Sequence, residues 1–379
     1  MTTTIPPKID FIDLKTQQKR IRENVDRRIA KVLDHGSYIL GPEVKELEET
    51  LARYVGMKHC VSCGNGTDAL LMALMAYDVK PGEAIFTPPF TFVATAEVVS
   101  LTGATPVFVD IDERTYNIDP AGLEKAIETF LEKKTGLRVR GIIPVDLFGQ
   151  PADYDAIVTI AKRYGLFVLE DAAQGFGGMY KGGKTCSFGD IAATSFFPAK
   201  PLGCYGDGGA IFTNNDTVDE KLRSIRVHGQ GVDKYDNVRI GINGRLDTMQ
   251  AAVLLAKMEI FDEELKLREK VAKRYSEMLK GSVVTPYVNP DCISCWAQYS
   301  VLTDNRDAVM SKLKANNVPT AIYYPKPLHL QDAYKDLGYK RGDFPKSERI
   351  AAKVFSIPMH PYLDEATQDY IVGAIKASI

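Results

Sequence analysis

Residues 166–211 read LFVLEDAAQGFGGMYKGGKTCSFGDIAATSFFPAKPLGCYGDGGAI and give the clearest indication of the architecture. Short apolar runs at 166–170, 191–196 and 209–213 predict three strands, and Asp171 directly follows the first of them. In open α/β sheets, ligands bind outside the carboxyl ends of the strands. We therefore expect Asp171 to face a ligand, whereas the alternative for a single aspartate at this position is a helix cap or a turn.

The rest of the chain continues this alternation of short strands and helices. Further strands are predicted at 59–63, 84–87, 105–109 and 140–145, and helices at 17–35, 42–55, 67–77, 92–101, 120–133 and 153–164. Such alternation favours an α/β fold with a mostly parallel sheet flanked by helices.

A second, smaller domain is predicted in the C-terminal part of the chain. The stretch 246–279 is periodic and has neither Gly nor Pro, which predicts a long helix that bridges two domains. The residues beyond it combine a strand signal at 296–302 with helices at 305–316, 347–354 and 364–377. We therefore predict a large α/β domain with N-terminal helices at 1–250, followed by the interdomain helix and a smaller α+β domain at 251–379.

The 379 residues carry 47 Lys and Arg against 49 Asp and Glu, so the net charge is −2. Without a basic field, the chain is not expected to bind nucleic acid. No apolar run approaches the ~20 residues of a membrane-spanning helix. The N-terminal MTTTIPPKIDF also lacks the apolar segment of a signal peptide. We therefore expect a cytoplasmic protein that does not interact with membranes.

The six cysteines include the pairs Cys60-x-x-Cys63 and Cys292-x-x-Cys295, whose local spacing is also found in zinc sites. More than two hundred residues separate the two pairs, whereas the two halves of a zinc ribbon lie about 15–20 residues apart. We therefore expect free thiols in a reducing compartment and no metal site, with a shared zinc site as the weaker alternative.

Lys200 is the one Lys or Arg between Lys184 and Lys221, and its neighbours are Phe, Pro, Gly and Ala. A lysine in such surroundings is poorly solvated, which disfavours its charged form and makes it nucleophilic near neutral pH. A pyridoxal phosphate site requires a lysine that bonds to the aldehyde and an aspartate that pairs with the pyridine nitrogen. Lys200 and Asp171 are the candidates for these roles; the alternative for a lysine is a solvated surface charge.

The sequence GNGTDA at 64–69 follows a predicted strand and opens a predicted helix. A glycine-rich turn at a helix N-terminus points amide N–H groups outward and binds phosphate. Thr67 is a candidate to add a hydroxyl to such a site, and Ser195 is a candidate to add another. The alternatives are a capped turn without a ligand, a hydrogen-bonded strand serine, and a dinucleotide fingerprint of the G-x-G-x-x-A kind.

Two further segments contain candidate ligands. The aromatic rings of TPPFTF at 87–92 are candidates to stack on a pyridine ring, although core packing is the usual role of Phe. In GINGRLD at 241–247, Asn243 is a candidate donor to a phosphate and Arg245 a candidate partner for a carboxylate. Helix capping and a surface ion pair are the alternatives for these two residues.

Together these motifs resemble the DegT family of sugar aminotransferases, which are fold-type-I pyridoxal phosphate enzymes that act on nucleotide-linked keto sugars. The resemblance extends from about residue 9 to the end of the chain. Its landmarks are YILGPEV (38–44), CGNGTDAL (63–70), TPPFTFVATAE (87–97), PVDLFGQ (144–150), EDAAQ (170–174), TSFFPAKPLGCYGDGGAI (194–211), GINGRLDTMQAA (241–252) and VPTAIYYPKPLH (318–329).

The resemblance implies a role for each candidate residue. Lys200 is the covalent anchor of the cofactor and the general acid and base, and Asp171 pairs with the pyridine nitrogen. The other implied cofactor contacts are Gln174 on the hydroxyl side of the ring, Phe92 stacked on the ring, Gly66, Thr67 and Ser195 around the phosphate, and Asn243 of the partner subunit at the phosphate. This last contact implies a homodimer whose active sites are shared between subunits.

For the substrate, the resemblance implies Arg245 at a carboxylate and Tyr323 in the sugar pocket, where His is expected in the nearest relatives. The tract around Lys200 most resembles family members that use L-glutamate to aminate UDP-2-acetamido-2-deoxy-3-oxo-D-glucuronate for surface polysaccharides such as the O-antigen of lipopolysaccharide. Amination of a 4-keto nucleotide sugar is the alternative within the family.

Other chemistries remain as alternatives to aminotransfer. Family members with His in place of the lysine are dehydratases, and Lys200 argues against that chemistry. A nicotinamide-dependent dehydrogenase would use residues 64–69 as its nucleotide turn. A non-catalytic sensor would bind the sugar or the cofactor without turnover, and no DNA-binding appendage favours it.

Overall fold

The computed structural model describes residues 8–233 and 235–379, and its centre is a seven-stranded sheet. The strands are β1 (His59–Cys63), β2 (Glu83–Thr87), β3 (Thr105–Phe108), β4 (Arg138–Ile142), β5 (Phe167–Asp171), β6 (Met179–Tyr180), β7 (Gly183–Lys184), β8 (Ile191–Ser195), β9 (Gly209–Thr213), β10 (Cys292–Ile293), β11 (Tyr299–Leu302) and β12 (Val354–Ile357). The helices are α1 (Leu14–His35), α2 (Pro42–Val55), α3 (Gly66–Ala76), α4 (Ala94–Leu101), α5 (Pro120–Glu132), α6 (Tyr154–Tyr164), α7 (Asp216–Ile225), α8 (Thr248–Leu279), α9 (Arg306–Ala315), α10 (Pro345–Lys353) and α11 (Glu365–Lys376).

The strands of the central sheet have the order β1-β9-β8-β5-β4-β2-β3. The run from β8 to β3 is parallel, whereas β9 is antiparallel to both of its neighbours, β8 and β1. A parallel pair needs a long crossover, usually a helix. Residues 196–208 between β8 and β9 contain no helix, so β9 returns alongside β8 in the opposite direction. The predicted mostly parallel sheet flanked by helices is confirmed.

Helices cover both faces of the sheet because successive strand residues point to opposite sides. On one face, Leu169 and Ala193 pack with apolar residues of α3, α4 and α7. On the other face, Ala192 and Phe212 pack with α2 and α8, and Val168 packs with α5 and α6. Both faces of the strands are therefore buried, as expected for a sheet that is mostly parallel.

Local sequence explains where several helices begin and end. Pro42 occupies the first turn of α2, and Gly56 ends this helix with a positive φ of 79°. The Asp119 side chain caps α5 by accepting from the Ala121 N–H, and the Asn65 side chain caps α3 in the same way. No helix within 8–233 and 235–379 combines the length and the apolar character needed to cross a bilayer.

A second apolar core lies beyond the large sheet and is built on the two-stranded sheet of β11 and β12. It includes Tyr275 and Tyr299 and apolar residues of α9 and α11. The long helix α8 contributes to both cores, with Phe261 in the first and Val271 in the second. Two cores joined by one helix support the division into 1–250 and 251–379, which we retain as a proposal.

The structure also differs from the predicted elements in several places, among them the short strands β6, β7 and β10, which were not predicted. Trp296 has a φ of 53°, which is incompatible with a strand, so β11 begins at Tyr299 and is shorter than predicted. The helix predicted at 347–354 ends at Lys353, and Val354 instead begins strand β12, which pairs with β11. Helix α7 was not predicted, although its three apolar residues, Val218, Leu222 and Ile225, have helical spacing and are buried on one face.

Candidate active site

The carboxyl edge of the parallel strands collects most of the residues selected from the sequence. The turn that begins at Gly64 follows β1, and the 88–92 segment follows β2. Asp171 ends β5, and Ser195 ends β8. Since parallel strands end at the same edge of a sheet, the fold brings these distant segments to one place.

Lys200 lies in the connection between β8 and β9, where its backbone N–H donates to Phe197 O at 2.9 Å. Part of the side chain reaches solvent, but burial of the amine lowers the pKa of Lys200 to about 8, against the opposing attraction of Asp171. At pH 7, roughly a tenth of such an amine is neutral, far more than for a solvated lysine. The amine forms no ion pair within the residues that the structure describes. It is therefore suited to act as a nucleophile.

Asp171 is 3% exposed and is held by two donors. Its Oδ2 accepts from Thr95 Oγ1 at 2.8 Å, and its Oδ1 accepts from the Ala173 N–H at 3.1 Å. Burial raises the pKa of Asp171, while these hydrogen bonds and Lys200 oppose the rise. A buried carboxylate with two donors still has lone pairs for a cationic partner. Thr95 was not selected from the sequence.

The signal that could have revealed Thr95 is its spacing from Thr91. The two threonines are four residues apart, and their hydroxyl groups lie 3.0 Å from each other. Both side chains are buried, with Thr91 2% and Thr95 1% exposed. Thr91 precedes α4 and Thr95 lies in its first turn, so a pair of buried hydroxyl groups at this helix start indicates a polar partner nearby.

Gly66 and Ser195 are in close contact at the N-terminus of α3. A Cβ atom added at Gly66 would lie 2.7 Å from Ser195 Cβ, so only glycine allows this approach. The first turn of a helix has no internal acceptors for its N–H groups, and Thr67 is partly exposed beside it. Amide N–H groups, two hydroxyl groups and the positive end of the helix dipole together suit a phosphate.

Gln174 is held by a partner from each side. Its Oε1 accepts from the Phe148 N–H at 2.8 Å, and its Nε2 donates to Tyr324 Oη at 2.8 Å. The second hydrogen on Nε2 is free to donate to another acceptor. Tyr324 was not selected from the sequence, because a residue 150 positions from Gln174 offers no local signal of this contact.

The two phenylalanines of the 87–92 segment lie in different surroundings. Phe90 is fully buried and packs edge-on against Phe148 and Tyr324. Phe92 is 55% exposed, with its ring centroid 6.1 Å from that of Tyr324. Of the two rings, Phe92 is the one that a bound ligand can reach.

The structure places the three remaining candidates around the same edge. Tyr323 is partly buried, and its ring centroid lies 5.9 Å from that of Tyr324. The Gly64 N–H donates to Gly244 O at 3.0 Å, which brings the segment with Asn243 and Arg245 against the α3 turn of the same chain. Asn243 is exposed. Arg245 Nε is buried without a hydrogen-bond partner among the described residues.

All six cysteines are buried and none forms a disulfide. Across 8–233 and 235–379, no group of three or more His, Cys, Asp and Glu side chains is arranged to hold a metal ion. Burial raises the pKa of the Cys295 thiol to about 12, which keeps it protonated.

The groups gathered at this edge of the sheet fit pyridoxal phosphate. The neutral fraction of the Lys200 amine suits an aldehyde, the buried Asp171 carboxylate suits a protonated pyridine nitrogen, and the Gly66 turn suits a phosphate. A dinucleotide turn at residues 64–69 would account for the glycines but would leave the lysine and the aspartate without a role.

Comparison with known proteins gives three similarities. A UDP-2-acetamido-2-deoxy-3-oxo-D-glucuronate aminotransferase from Pseudomonas aeruginosa is 54% identical over 97% of this chain and 99% of its own. The crystal structure of a DegT DnrJ EryC1 StrS aminotransferase from Brucella abortus superposes with a TM-score of 0.94, at 51% identity over 97% of this chain and 99% of that chain. The PLP form of a Streptococcus pneumoniae protein described as a sugar aminotransferase superposes with a TM-score of 0.88, at 25% identity over 99% and 98% of the two chains.

The family model for DegT/DnrJ/EryC1/StrS aminotransferases matches residues 19–376, which is nearly the whole chain. The match includes the Gly66 turn, Asp171 and Lys200, and it agrees with the resemblance drawn from the sequence motifs. The chain therefore belongs to the DegT/DnrJ/EryC1/StrS aminotransferase family.

Proposed function

We propose that this protein is a pyridoxal-phosphate-dependent aminotransferase that transfers the amino group of L-glutamate to the keto group of a nucleotide-linked sugar. The observation that carries the proposal is the Lys200 amine, whose pKa burial lowers to about 8 at the sheet edge where Asp171 ends β5. Membership of an aminotransferase family and a PLP-bound structural neighbour support the cofactor and the reaction.

Each residue of the site has a proposed task. When bound, the cofactor supplies an electron sink that stabilises the charge left on a substrate carbon after proton removal. Lys200 Nζ holds the cofactor between turnovers and then moves the proton as base and acid. Asp171 keeps a negative charge against the pyridine nitrogen. Gly66, Thr67 and Ser195 bind the phosphate through amide and hydroxyl groups.

The ring itself is positioned by Phe92 and Gln174. Phe92 is exposed at the edge of the site and offers its face for stacking. Gln174 Nε2 keeps one hydrogen for the ring hydroxyl while Phe148 and Tyr324 fix its orientation. A side chain held at both ends of its amide cannot rotate away, which keeps the donor aimed at one position.

For the substrate, we propose UDP-2-acetamido-2-deoxy-3-oxo-D-glucuronate, which becomes the 3-amino sugar used in surface polysaccharides such as the O-antigen of lipopolysaccharide. Support comes from the relative that is 54% identical and carries this substrate in its name. Arg245 has a buried guanidinium nitrogen that finds no partner among the described residues, which suits the carboxylate of a uronic acid. Tyr323 lies beside Tyr324 and is proposed to contact the sugar.

We also propose a cytoplasmic homodimer in which Asn243 of the partner subunit completes the phosphate site. Exposed apolar side chains lie along one region of the surface. Tyr38 and Ile39 run beside the start of α8, where Tyr38 O accepts from the Thr248 N–H and Ile39 bridges to Asp247. The Tyr205 N–H donates to Gln250 Oε1 at 2.9 Å, also near the start of α8. Ile240 is 85% exposed and lies three residues before Asn243. A second copy of the chain would bury this apolar surface.

The reaction is tested by two half-reactions of the cofactor-loaded protein. Glutamate should change the visible spectrum and release 2-oxoglutarate, and the UDP-linked 3-keto uronic acid should restore the spectrum and yield the 3-amino sugar by mass spectrometry. UDP-, GDP- and dTDP-linked 3-keto and 4-keto sugars serve as competitors. A spectrum unchanged by glutamate would contradict aminotransfer and favour a sensor, and binding of NAD without any cofactor absorbance would favour a dehydrogenase.

The shared active site is tested by mixing two inactive variants. In a mixed dimer, Lys200→Ala removes the amine from one subunit, and Asn243→Ala removes the amide from the other subunit. If Asn243 acts across the interface, each mixed dimer contains one intact site and activity returns on mixing. If Asn243 acts within its own chain, no mixed dimer has an intact site, and the mixture stays inactive.

A further inference from the structure

Two carboxyl groups, Asp146 and Glu170, are fully buried together behind the active site. Glu170 precedes Asp171 on β5, so the two side chains point to opposite faces of the sheet. The carboxyl groups of Glu170 and Asp146 lie within hydrogen-bonding reach of each other. Neither group forms an ion pair with any of the described residues.

The donors around the pair are distributed unequally. Glu170 Oε1 accepts from the Cys186 N–H at 2.5 Å, and Oε2 accepts from the Phe188 N–H at 2.8 Å. Asp146 Oδ1 accepts from the Tyr154 hydroxyl at 2.7 Å and the Ala152 N–H at 3.1 Å. In the described part of the chain, Asp146 Oδ2 has no donor at all.

Two carboxylates in such contact cannot both be ionised in a buried setting without a cation. The titratable groups that face the pair are Tyr154 on α6, Cys186 between β7 and β8, Asp171 on β5, and Cys292 and Cys295 beyond α8. None of them is a cation. One proton must therefore lie between the two carboxyl groups.

We propose that Asp146 and Glu170 share a single proton, which is carried on Asp146 Oδ2 and donated to Glu170. Through its contacts, the pair positions the segment that carries Asp171 and Gln174. Glu170 is the better anion because backbone N–H groups donate to both of its oxygens. Asp146 Oδ2 is the one oxygen of the pair that receives no hydrogen bond. With a proton on Oδ2, all four carboxyl oxygens take part in hydrogen bonds. Burial raises the pKa of both groups, which agrees with a retained proton.

The positioning role follows from what the pair touches. The Asp146 N–H donates to Asp171 O at 3.0 Å. The backbone of Asp146 is therefore hydrogen-bonded to the backbone of Asp171, the residue proposed to pair with the pyridine nitrogen. A Cβ at Gly175 would lie 2.6 Å from Asp146 Oδ2, which shows how closely the turn carrying Gln174 rests on this oxygen. The link to catalysis rests on the proposed function, whereas the shared proton does not.

The test uses amide variants of the full-length chain. Asp146→Asn places an NH₂ group where the proton is proposed and keeps the Oδ1 acceptor, so it imitates the protonated state. Glu170→Gln instead turns an NH₂ group toward a backbone N–H, which leaves two donors facing each other. We expect the urea midpoint at neutral pH to be unchanged for Asp146→Asn and lowered for Glu170→Gln. Equal losses in both, or a larger loss in Asp146→Asn, would overturn the assignment.

A spectroscopic measurement detects the proton itself. In the infrared spectrum at neutral pH, the wild type should show the carbonyl band of a protonated carboxylic acid, and Asp146→Asn should lose it. Asp332→Asn, at a fully exposed aspartate, is the matched control and should keep the band. Absence of the band in the wild type, or its persistence in Asp146→Asn, would refute the shared proton whatever the activity of the enzyme.

The pH dependence of stability gives a second readout with a definite sign. Because the folded pKa is raised, the native state binds one more proton than the unfolded chain between the ordinary carboxyl range and the raised value. Wild-type stability should therefore decrease as the pH rises through this window, by more than that of Asp146→Asn. Identical slopes for the two proteins would count against the proposal.

Discussion

Replacing Thr95 by Val removes a hydroxyl group that holds the Asp171 carboxylate. Thr95 Oγ1 donates to Asp171 Oδ2 at 2.8 Å, and both side chains are buried. Valine has nearly the same shape as threonine, so the packing of α4 is kept while the donor is lost. The carboxylate retains the Ala173 N–H at Oδ1, and Oδ2 loses its partner.

The size of the effect follows from the charge on the acceptor. A hydrogen bond to a charged group contributes about 1.5–3 kcal/mol, and each 1.36 kcal/mol changes a rate about tenfold. Burial already raises the pKa of Asp171, and loss of a donor to the ionised form raises it further. Since the ionised form is the one that pairs with a pyridine nitrogen, we expect the glutamate half-reaction at neutral pH to slow about 10- to 100-fold.

The assay is a stopped-flow measurement of that half-reaction across pH, together with urea unfolding. The acid limb of the rate profile should move to higher pH in Thr95→Val, because more alkali is needed to ionise Asp171. Thr95→Ser keeps the hydroxyl and is the matched control, with a profile close to that of the wild type. The reasoning is refuted if the valine and serine variants have the same rate and the same acid limb.

Three further substitutions test other parts of the site. Lys200→Ala should abolish transamination while leaving the urea midpoint unchanged, and residual turnover in the purified variant would contradict the role of the amine. In the wild type, the neutral fraction of the Lys200 amine should increase as the pH rises through about 8. Gly66→Ala should weaken cofactor binding, measured by absorbance titration, because its Cβ would lie 2.7 Å from Ser195 Cβ; Gly373→Ala, where no atom lies within 4 Å, should bind normally. Tyr324→Phe removes the acceptor of Gln174 Nε2 and should lower the free energy of unfolding by about 0.5–1.5 kcal/mol. Unchanged stability together with unchanged kinetics would argue against Gln174 as a fixed donor.

The sequence predicted most of the strands and helices along the chain because each feature involved is local. Alternation of apolar runs with helical periodicity is visible within a few residues, and so are caps such as Pro42 and Asp119. Lys200 was selected for the same reason, since its apolar surroundings are its neighbours in sequence. Where a local signal misleads, as at Trp296, the tertiary structure imposes a backbone angle that composition does not reveal.

The residues that support the site could not be predicted in this way. Thr95 is bonded to a residue 76 positions away, and Tyr324 to one 150 positions away. Asp146 looks like an ordinary loop aspartate until β4 and β5 place it against Glu170. These contacts depend on the order of strands in the sheet, which a single sequence does not specify. Sequence reasoning therefore selected the candidate reacting groups and missed the groups that orient them.

The antiparallel strand β9 explains why the proposed reacting groups meet. If β8 led into a helical crossover, the chain after Ser195 would be carried to the opposite edge of the sheet. Instead Ser195 pairs with Gly209, and the connection between them stays at the carboxyl edge. Lys200 is thereby kept beside Asp171, and Gly209 approaches the α3 turn so closely that a Cβ there would lie 2.4 Å from Asn65 O. The single reversal in an otherwise parallel run is what brings the Lys200 amine, the Asp171 carboxylate and the α3 turn proposed to bind phosphate into one site.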